Sequence, residues 1–209
     1  IYAAGGFSFA DGLCLVRTRG ELMASAGSKN PGAMAAIMGQ DEAKIQELCD
    51  QVKDVGAVVP ANINCPGQIV VSGAVEGVNK LVENCAAAGI KAIPLAVSGA
   101  FHSPLMQFAQ PGLAEALAKT TFNDVAKPVI ANVIAEPVTS GKEISDLLLR
   151  QLVSPVRWND CMNKAISLGV TQGVEVGSGK VLMGLMRKIS RDVKVTPVET
   201  IEAFQSLKG

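Results

Sequence analysis

His102 is the only histidine in the 209-residue sequence and the side chain best suited to move a proton at neutral pH. It follows an apolar, strand-like run at 92–97 and precedes a helical pattern that begins near Ser103. The loop between the end of a strand and the start of a helix is where α/β folds place their chemistry. From this stretch alone two interpretations stay open, a catalytic base or a histidine that caps a helix or packs in a core.

A catalytic base of this kind needs a nucleophile and an orienting group. The sequence contains no Gly-x-Ser-x-Gly elbow of the sort that presents a reactive serine. Ser98 and Ser103 lie too close to His102 along the chain to be convincing nucleophiles. The residues by themselves therefore indicate a base without a partner.

Three polar side chains are candidates for ligand contacts. Arg19 lies off the apolar stripe of its helix, so it is either a solvated cation or a bidentate clamp for a carboxylate. The stretch 62–68 is expected to place the amides of Asn62 and Asn64 on a loop between strands. Turn chemistry explains 64–67 without any function, and a ligand contact is the alternative.

The run 177–180, Gly-Ser-Gly-Lys, follows a strand and opens a helix, which suggests a phosphate loop. The spacing fails the P-loop pattern, and a structural tight turn is the favoured interpretation. Glu175, at the end of the preceding strand, has no partner carboxylate, so a solvated or helix-capping role is favoured for it.

The elements that would position these residues fall into two groups. The first group, at 30–97, is predicted to be a ferredoxin-like βαββαβ subdomain, because its apolar periodicity alternates in that order. Its expected strands are 33–38, 55–63, 68–72 and 90–97, and its expected helices are 41–52 and 74–88.

The second group, at 1–29 and 98–209, is predicted to be an α/β core with a mainly parallel sheet. Helix 9–26 is expected to pack on it through the stripe formed by Leu13, Val16, Gly20 and Met23. Further helices are expected at 103–119, 144–152, 155–168, 181–189 and 199–207, and strands at 129–134, 170–176 and 193–197.

Composition excludes several function classes. The formal net charge is zero, which removes the electrostatic basis for binding nucleic acid or an anionic membrane. No apolar run approaches the roughly 18 residues needed to span a bilayer. The five cysteines are scattered and lack C-x-x-C spacing, so we expect reduced thiols, no metal site and a cytoplasmic location.

Several ordered stretches together resemble the malonyl-CoA:acyl-carrier-protein transacylases of fatty-acid synthesis and the related acyltransferase domains of polyketide synthases. The matching stretches are AAGGFSFAD (3–11), RTRGELM (17–23), GAMAAI (32–37), NINCPGQIVVSG (62–73), AFHSPLM (100–106), QLVSPVRW (151–158) and EVGSGKVL (175–182). The resemblance implies a hydrolase-like α/β domain with a ferredoxin-like insertion, in agreement with the two groups of elements.

The resemblance also implies catalytic roles. A serine in a Gly-His-Ser-x-Gly elbow attacks the malonyl thioester, and His102 activates that serine and later protonates the leaving thiol. The matching residue for the backbone carbonyl that orients the histidine is Gln151. Arg19 matches the arginine that pairs with the malonyl carboxylate.

Substrate contacts follow from the same resemblance. Asn62 and Asn64 match residues that line the acyl and pantetheine channel, with Met23 nearby. Phe101 matches a phenylalanine that accompanies malonyl preference over branched extenders. The implied partners are malonyl-CoA and acyl carrier protein, and the coenzyme A thioester is a substrate, so no cofactor is expected.

The family's elbow serine would lie a few residues before Ile1. We therefore expect the 209-residue chain alone to be inactive and to expose apolar faces, and either to aggregate or to associate with the missing N-terminal segment. Two alternatives remain: a non-catalytic module that binds acyl carrier protein or a partner chain, and a plain hydrolase of the same fold. Arg19 speaks against the hydrolase, because a clamp for an anionic acyl group suits malonyl transfer.

Overall fold

The structure, a computed structural model, describes residues 1–97 and 99–207. Ser98, one of the two serines considered beside His102, lies outside the described residues. The α-helices are α1 (Phe9–Lys29), α2 (Glu42–Asp50), α3 (Val75–Ala87), α4 (Gln110–Ala118), α5 (Gly141–Arg150), α6 (Trp158–Ser167), α7 (Val181–Ile189) and α8 (Ile201–Ser206). The strands are β1 (Gly32–Met38), β2 (Val58–Cys65), β3 (Gln68–Ala74), β4 (Ala92–Pro94), β5 (Val129–Ala131), β6 (Glu136–Val138), β7 (Gln172–Val176) and β8 (Lys194–Val198).

Strands β1 to β4 form a four-stranded sheet in the order β2-β3-β1-β4, and every neighbouring pair is antiparallel. Helices α2 and α3 cover one face, where Ile37, Ile45, Val71 and Leu81 share a fully buried cluster. The order strand, helix, strand, strand, helix, strand is the one that the sequence predicts for this region. β4 is shorter than the predicted strand at 90–97, and it ends at Pro94, which has no N–H to donate to a ladder.

The other face of this sheet packs against the rest of the chain through Phe101. Met34, Ala36, Ala61 and Val70 form a small buried cluster on that face, and the Phe101 ring lies against it. Phe101 also packs on a second cluster, whose buried members are Leu15, Ala26, Met106, Ala109, Leu113, Leu117 and Leu152. The residue next to His102 is thus the apolar joint between the sheet and the helices outside it.

Of the stripe predicted for helix α1, only Met23 packs against a neighbour. Leu13 and Val16 are 60% and 71% exposed, whereas Leu15 and Ala26 are buried. The helix is turned this way because its packing partners are α4 and the short 3-10 helix at Pro104–Ala109, which lie on the Leu15 side. Apolar spacing indicated the helix correctly, but it did not indicate which of its apolar residues would meet a neighbour.

The single helix predicted at 103–119 is two elements. A 3-10 helix over Pro104–Ala109 leads into α4, which has a proline, Pro111, in its first turn. A proline has no N–H to bond back to the preceding turn, so it begins a new helix more readily than it continues one.

Outside the four-stranded sheet, the described residues form two small sheets. β7 and β8 pair in parallel, whereas β5 and β6 form an antiparallel hairpin. The hairpin differs from the predicted strand at 129–134, because the chain turns back after Ala131 and reaches Ala135 in a left-handed conformation with φ 56°. The wider parallel sheet stays a prediction. None of the helices in the described part is long and apolar enough to cross a membrane.

Candidate active site

The turn that carries His102 is tight and is held by the side chain of Ser103. His102 has a φ of 59°, a left-handed conformation that is uncommon for a residue other than glycine. The buried Ser103 hydroxyl donates to the carbonyl of Ala100 at 2.7 Å and accepts from the N–H of Leu105 at 3.3 Å. Ser103 is therefore engaged in shaping the turn and in capping the helix that follows, and its hydroxyl is not aimed at a substrate.

Strand β1 fixes the start of this turn. Pro31 and Gly99 form an antiparallel bridge, so the chain approaching His102 is held beside the chain entering β1. A side chain at Gly32 would place its Cβ 2.5 Å from the backbone nitrogen of Ala100. A glycine at position 32 is what allows this close approach between the two backbones.

The orienting group for His102 is a main-chain carbonyl. His102 Nδ1 lies 3.1 Å from the carbonyl oxygen of Gln151, at the C-terminal end of α5. A carbonyl can only accept, so in the neutral ring the proton resides on Nδ1 and Nε2 keeps its lone pair. That is the tautomer a general base requires.

Burial lowers the pKa of His102 below its ordinary value. The carbonyls of Gln151 and Ser154 act in the opposite direction, because they favour the protonated ring, and the positive charge of Arg19 lowers the pKa further. With a pKa below the usual 6.5, the imidazole is neutral at pH 7 and ready to accept a proton.

Arg19 lies half-buried on α1 and close enough to His102 for its charge to be felt there. Burial lowers the pKa of its guanidinium. It lines an apolar cavity of about 270 Å³ together with Leu15, Leu113 and Leu148. Among the described residues it has no ion-pair or hydrogen-bond partner, so an anion entering the cavity would compensate a guanidinium that is already partly desolvated.

Arg17, two residues before Arg19, has different surroundings. Its Nε lies 2.9 Å from a carboxylate oxygen of Glu21, and both side chains are largely exposed. This is the solvated i,i+4 pair that helix geometry favours. The two arginines of α1 therefore differ in surroundings as well as in position.

The other predicted contact residues lie on α1 and β2. Met23 is half-buried and packs, like Phe101, on the cluster that contains Leu15 and Met106. Asn62 and Asn64 are half-buried on β2, at the edge of the sheet, and among residues 1–97 and 99–207 their side-chain amides make no hydrogen bond. The sequence predicts both residues on a loop, but β2 continues to Cys65 and includes them. Their unbonded amides are available to a ligand.

The N–H groups of the glycine-rich turn at 177–180 and of the helix after it bind carboxylates of the protein itself. Both carboxylate oxygens of Glu175 accept from the N–H groups that open α7, those of Leu182 and Met183, each at 2.8 Å. Glu199 accepts from the N–H of Gly179. Carboxylates of the protein thus occupy the amides that would cradle a phosphate, and Glu175 is a helix cap.

One part of the site was not anticipated from the sequence. The chain from Ser154 to Val156 contacts both the Gln151 side chain and strand β2. A signal was present in Pro155, which holds its neighbourhood extended, but the sequence does not show what an extended segment pairs with.

The acyl transferase domain family matches residues 1–204 of the chain. The malonyl CoA-acyl carrier protein transacylase of Bacillus subtilis strain 168 is 46% identical over 214 residues, covering 100% of this chain and 68% of that protein. The enzyme of the same name from Staphylococcus aureus strain MSSA476 is 42% identical, over 97% of this chain and 66% of its own length.

Solved structures agree. The crystal structure of a malonyl-CoA:acyl carrier protein transacylase from Xanthomonas oryzae superposes with a TM-score of 0.92 at 38% identity, covering 98% of this chain and 66% of that one. A malonyl-transacylase solved in complex with a type II polyketide acyl carrier protein superposes with a TM-score of 0.90 at 37% identity, covering 98% of this chain and 67% of that one. The chain therefore spans about two thirds of the length of its relatives, and it belongs to the acyl transferase domain family.

Proposed function

We propose that this chain serves the transfer of a malonyl group from coenzyme A to acyl carrier protein. The observation that carries the proposal is a neutral, carbonyl-oriented imidazole, His102, within electrostatic reach of Arg19, a half-buried guanidinium without a partner in the described part of the chain. An acyl thioester that ends in a carboxylate is a substrate that uses both groups. The relatives named malonyl CoA-acyl carrier protein transacylase support the same choice.

In the first half-reaction, a serine hydroxyl attacks the thioester carbonyl while Nε2 of His102 takes its proton. The tetrahedral intermediate collapses, the carbon–sulfur bond breaks, and the proton on His102 passes to the departing coenzyme A thiolate. The products are a malonyl-serine ester and free coenzyme A. His102 is neutral again and Gln151 O has held its ring throughout.

In the second half-reaction, His102 takes the proton of the pantetheine thiol of acyl carrier protein. The thiolate attacks the ester carbonyl, the carbon–oxygen bond breaks, and the proton returns to the serine oxygen. The exchange is ping-pong, because one thiol leaves before the other arrives. No cofactor takes part, since the coenzyme A thioester is itself consumed.

The remaining site residues select and guide the acyl group. Arg19 pairs with the malonyl carboxylate, a bidentate geometry that a guanidinium suits. Asn62 and Asn64 offer their unbonded amides to the acyl-pantetheine arm, and Met23 lies about one helical turn after Arg19 on α1. Phe101 limits the space beside His102 and so favours malonyl over 2-substituted malonyl groups.

We assign the attacking serine to an elbow in a segment N-terminal to these residues, because the 209 residues contain no Gly-x-Ser-x-Gly motif. Exposed apolar side chains support further packing on this chain. Val174 and Val176 of β7 are 51% and 81% exposed, and Leu13 and Val16 of α1 are exposed as well. Apolar surface of this extent usually marks an interface.

The architecture proposed with this function has two parts. The antiparallel sheet with α2 and α3 is taken as the ferredoxin-like subdomain at 30–97, since its strand order is that of two interleaved βαβ units. The segments 1–29 and 98–209 are taken as part of a hydrolase-like core. The five free cysteines fit a reducing compartment such as the cytoplasm.

The test is acyl loading of the full-length protein. Incubation with malonyl-CoA followed by intact-mass spectrometry should show one malonyl adduct, which purified holo acyl carrier protein then removes. A His102→Gln variant should load at least about a thousandfold more slowly. Equal loading by acetyl-CoA would contradict malonyl specificity, and no loading at all would contradict the transfer activity.

A second candidate is a non-catalytic module that binds acyl carrier protein or a partner chain. The observation that favours it is the absence of an elbow motif from the 209 residues. The 209-residue chain is expected to show no burst of acylation from malonyl-CoA, whichever candidate holds. Only the module would bind holo acyl carrier protein in its full-length form without transferring an acyl group.

A further inference from the structure

Gln151 uses its side chain as well as its backbone at the site. Its carbonyl accepts from His102, while its side-chain Nε2 donates to the carbonyl of Ser154 at 2.9 Å and to that of Pro155 at 3.2 Å. One residue therefore holds the imidazole with one group and the segment that follows α5 with another.

That segment, Ser154–Pro155–Val156, joins the histidine to the antiparallel sheet. The N–H of Val156 donates to the carbonyl of Ala61 at 2.8 Å, and the N–H of Ile63 donates to the carbonyl of Val156 at 2.9 Å. Val156 thus pairs in parallel with Asn62 and adds a short extension to the free edge of β2. We refer to residues 154–156 as the strap.

A continuous series of contacts connects His102 to β2, the strand that carries Asn62 and Asn64. It passes from His102 to Gln151, from the Gln151 side chain to the strap, and from the strap to Asn62 on β2. The carbonyl of Ser154, which the Gln151 amide holds, also acts on the His102 ring. These few bonds, together with Phe101, which packs on the sheet cluster and on the helix cluster, connect the ring to β2.

We propose that the side-chain amide of Gln151 is a positioning group for acyl transfer, which fixes the strap and thereby the distance between His102 and strand β2. The inference rests on the proposed function for its catalytic consequence. The two N–H groups on Nε2 of Gln151 match the carbonyls of two consecutive residues, Ser154 and Pro155. An aliphatic side chain of the same length has no N–H group to donate. Release of the strap would loosen the end of α5 that carries the Gln151 carbonyl, so the ring would be held less firmly and the base could drift from the acyl group.

The test is Gln151→Met in the full-length protein, with Arg150→Met as the matched control. Arg150 is the exposed neighbour of Gln151, with no ion pair in the described residues. Gln151→Met should lower kcat for malonyl transfer about 10- to 100-fold, because small displacements of a base cost that much. The KM for malonyl-CoA should change less than about threefold, because Arg19 is untouched, a split that a loss of binding would not give.

Nitrogen NMR of the His102 ring provides a readout that does not depend on activity. The wild type should show one tautomer with the proton on Nδ1, and Gln151→Met should show mixed tautomers and a lower titration midpoint. Arg150→Met should match the wild type in kcat and in the ring spectrum. If wild-type protein transfers no malonyl group, the proposed function fails, while the ring spectrum still tests the strap.

A second variant guards against a simple loss of folding. Val156→Pro removes the N–H that bonds to Ala61 and leaves Gln151 intact, so it should reproduce the fall in kcat and the ring changes at an unchanged far-ultraviolet spectrum. Wild-type kcat together with a wild-type ring spectrum in either variant would overturn the proposal. So would an equal fall of kcat in Arg150→Met.

Discussion

The imidazole of His102 and the main-chain carbonyl of Gln151 meet at 3.1 Å, across 49 residues of sequence. A carbonyl fixes the tautomer of the ring but carries no charge and does not titrate. It therefore stabilises the imidazolium less than a carboxylate would. Burial is therefore the largest influence on the pKa of His102 and lowers it; the Gln151 carbonyl opposes burial, and the positive charge of Arg19 adds a smaller decrease.

The acid limb of malonyl loading should follow from this balance. A general base works when it is unprotonated, so kcat/KM of the full-length protein should rise with pH through one ionisation below 6.5, the ordinary value for histidine. Arg19→Met removes a positive charge that lowers the pKa of His102, so the acid limb should move to higher pH.

The control for this shift is Arg17→Met, which removes an equal charge from the exposed side of the same helix. It should leave the limb where it is, because exposed charges are screened by solvent. A shift of the same size in both variants would contradict the view that Arg19 acts on His102 at short range.

Arg19 should also decide between acyl groups. Loss of a charge-assisted contact with the malonyl carboxylate is worth about 1.5–3 kcal/mol, so Arg19→Met should lower kcat/KM for malonyl-CoA by about 10- to 150-fold. The value for acetyl-CoA should barely change, since acetyl has no carboxylate. Arg19→Lys keeps the positive charge but lacks the bidentate guanidinium, so its kcat/KM for malonyl-CoA should lie between those of the wild type and Arg19→Met. The measurement is competition between the two thioesters, and an unchanged ratio in Arg19→Met would disprove the clamp.

Phe101 should affect both selectivity and stability. It packs on the sheet cluster and on the helix cluster, so Phe101→Ala should lower the free energy of unfolding by about 2–4 kcal/mol. The same change opens space beside His102 and should raise the rate with methylmalonyl-CoA relative to malonyl-CoA. Urea unfolding and paired loading assays measure the two effects. Phe108→Ala, at an aromatic ring that is 64% exposed, is the control and should change neither.

Local patterns carried much of the fold. Turn residues and periodicity predicted the order of elements between 32 and 94, because each of them follows from nearby residues. The orientation of α1 could not be predicted in the same way. Leu13, Leu15 and Val16 are all apolar, and only contact with Pro104–Ala109 and α4 decides that Leu15 is buried. The hairpin of β5 and β6 was missed for a related reason, since nothing in 129–134 shows where the chain reverses.

The candidate site, like the fold, could be predicted only where the signal lies in nearby residues. His102 was singled out because only one residue of its type exists, and Glu175 because it ends a strand. The sequence singled out Arg19, which lies off the apolar stripe of its helix, but it could not show the partly buried, apolar surroundings of this residue, because side chains distant in the chain create them. The pairing of the strap with β2 could not be predicted, because its partners, Ala61 and Ile63, lie about 90 residues away along the chain.

Glu175 offers a test of a structural role that is separate from catalysis. Its carboxylate accepts two N–H groups at the start of α7 and lies where the helix dipole favours a negative charge. Glu175→Gln keeps the shape but places an NH₂ group against one of these donors, so the free energy of unfolding should fall by about 1–2 kcal/mol. Glu115→Gln, on the exposed side of α4, removes the same charge without a bonded partner in the described residues and should change stability little. Urea titrations of the two variants at pH 7 decide the matter: an equal, small effect would mean that the Glu175 carboxylate contributes nothing as a cap.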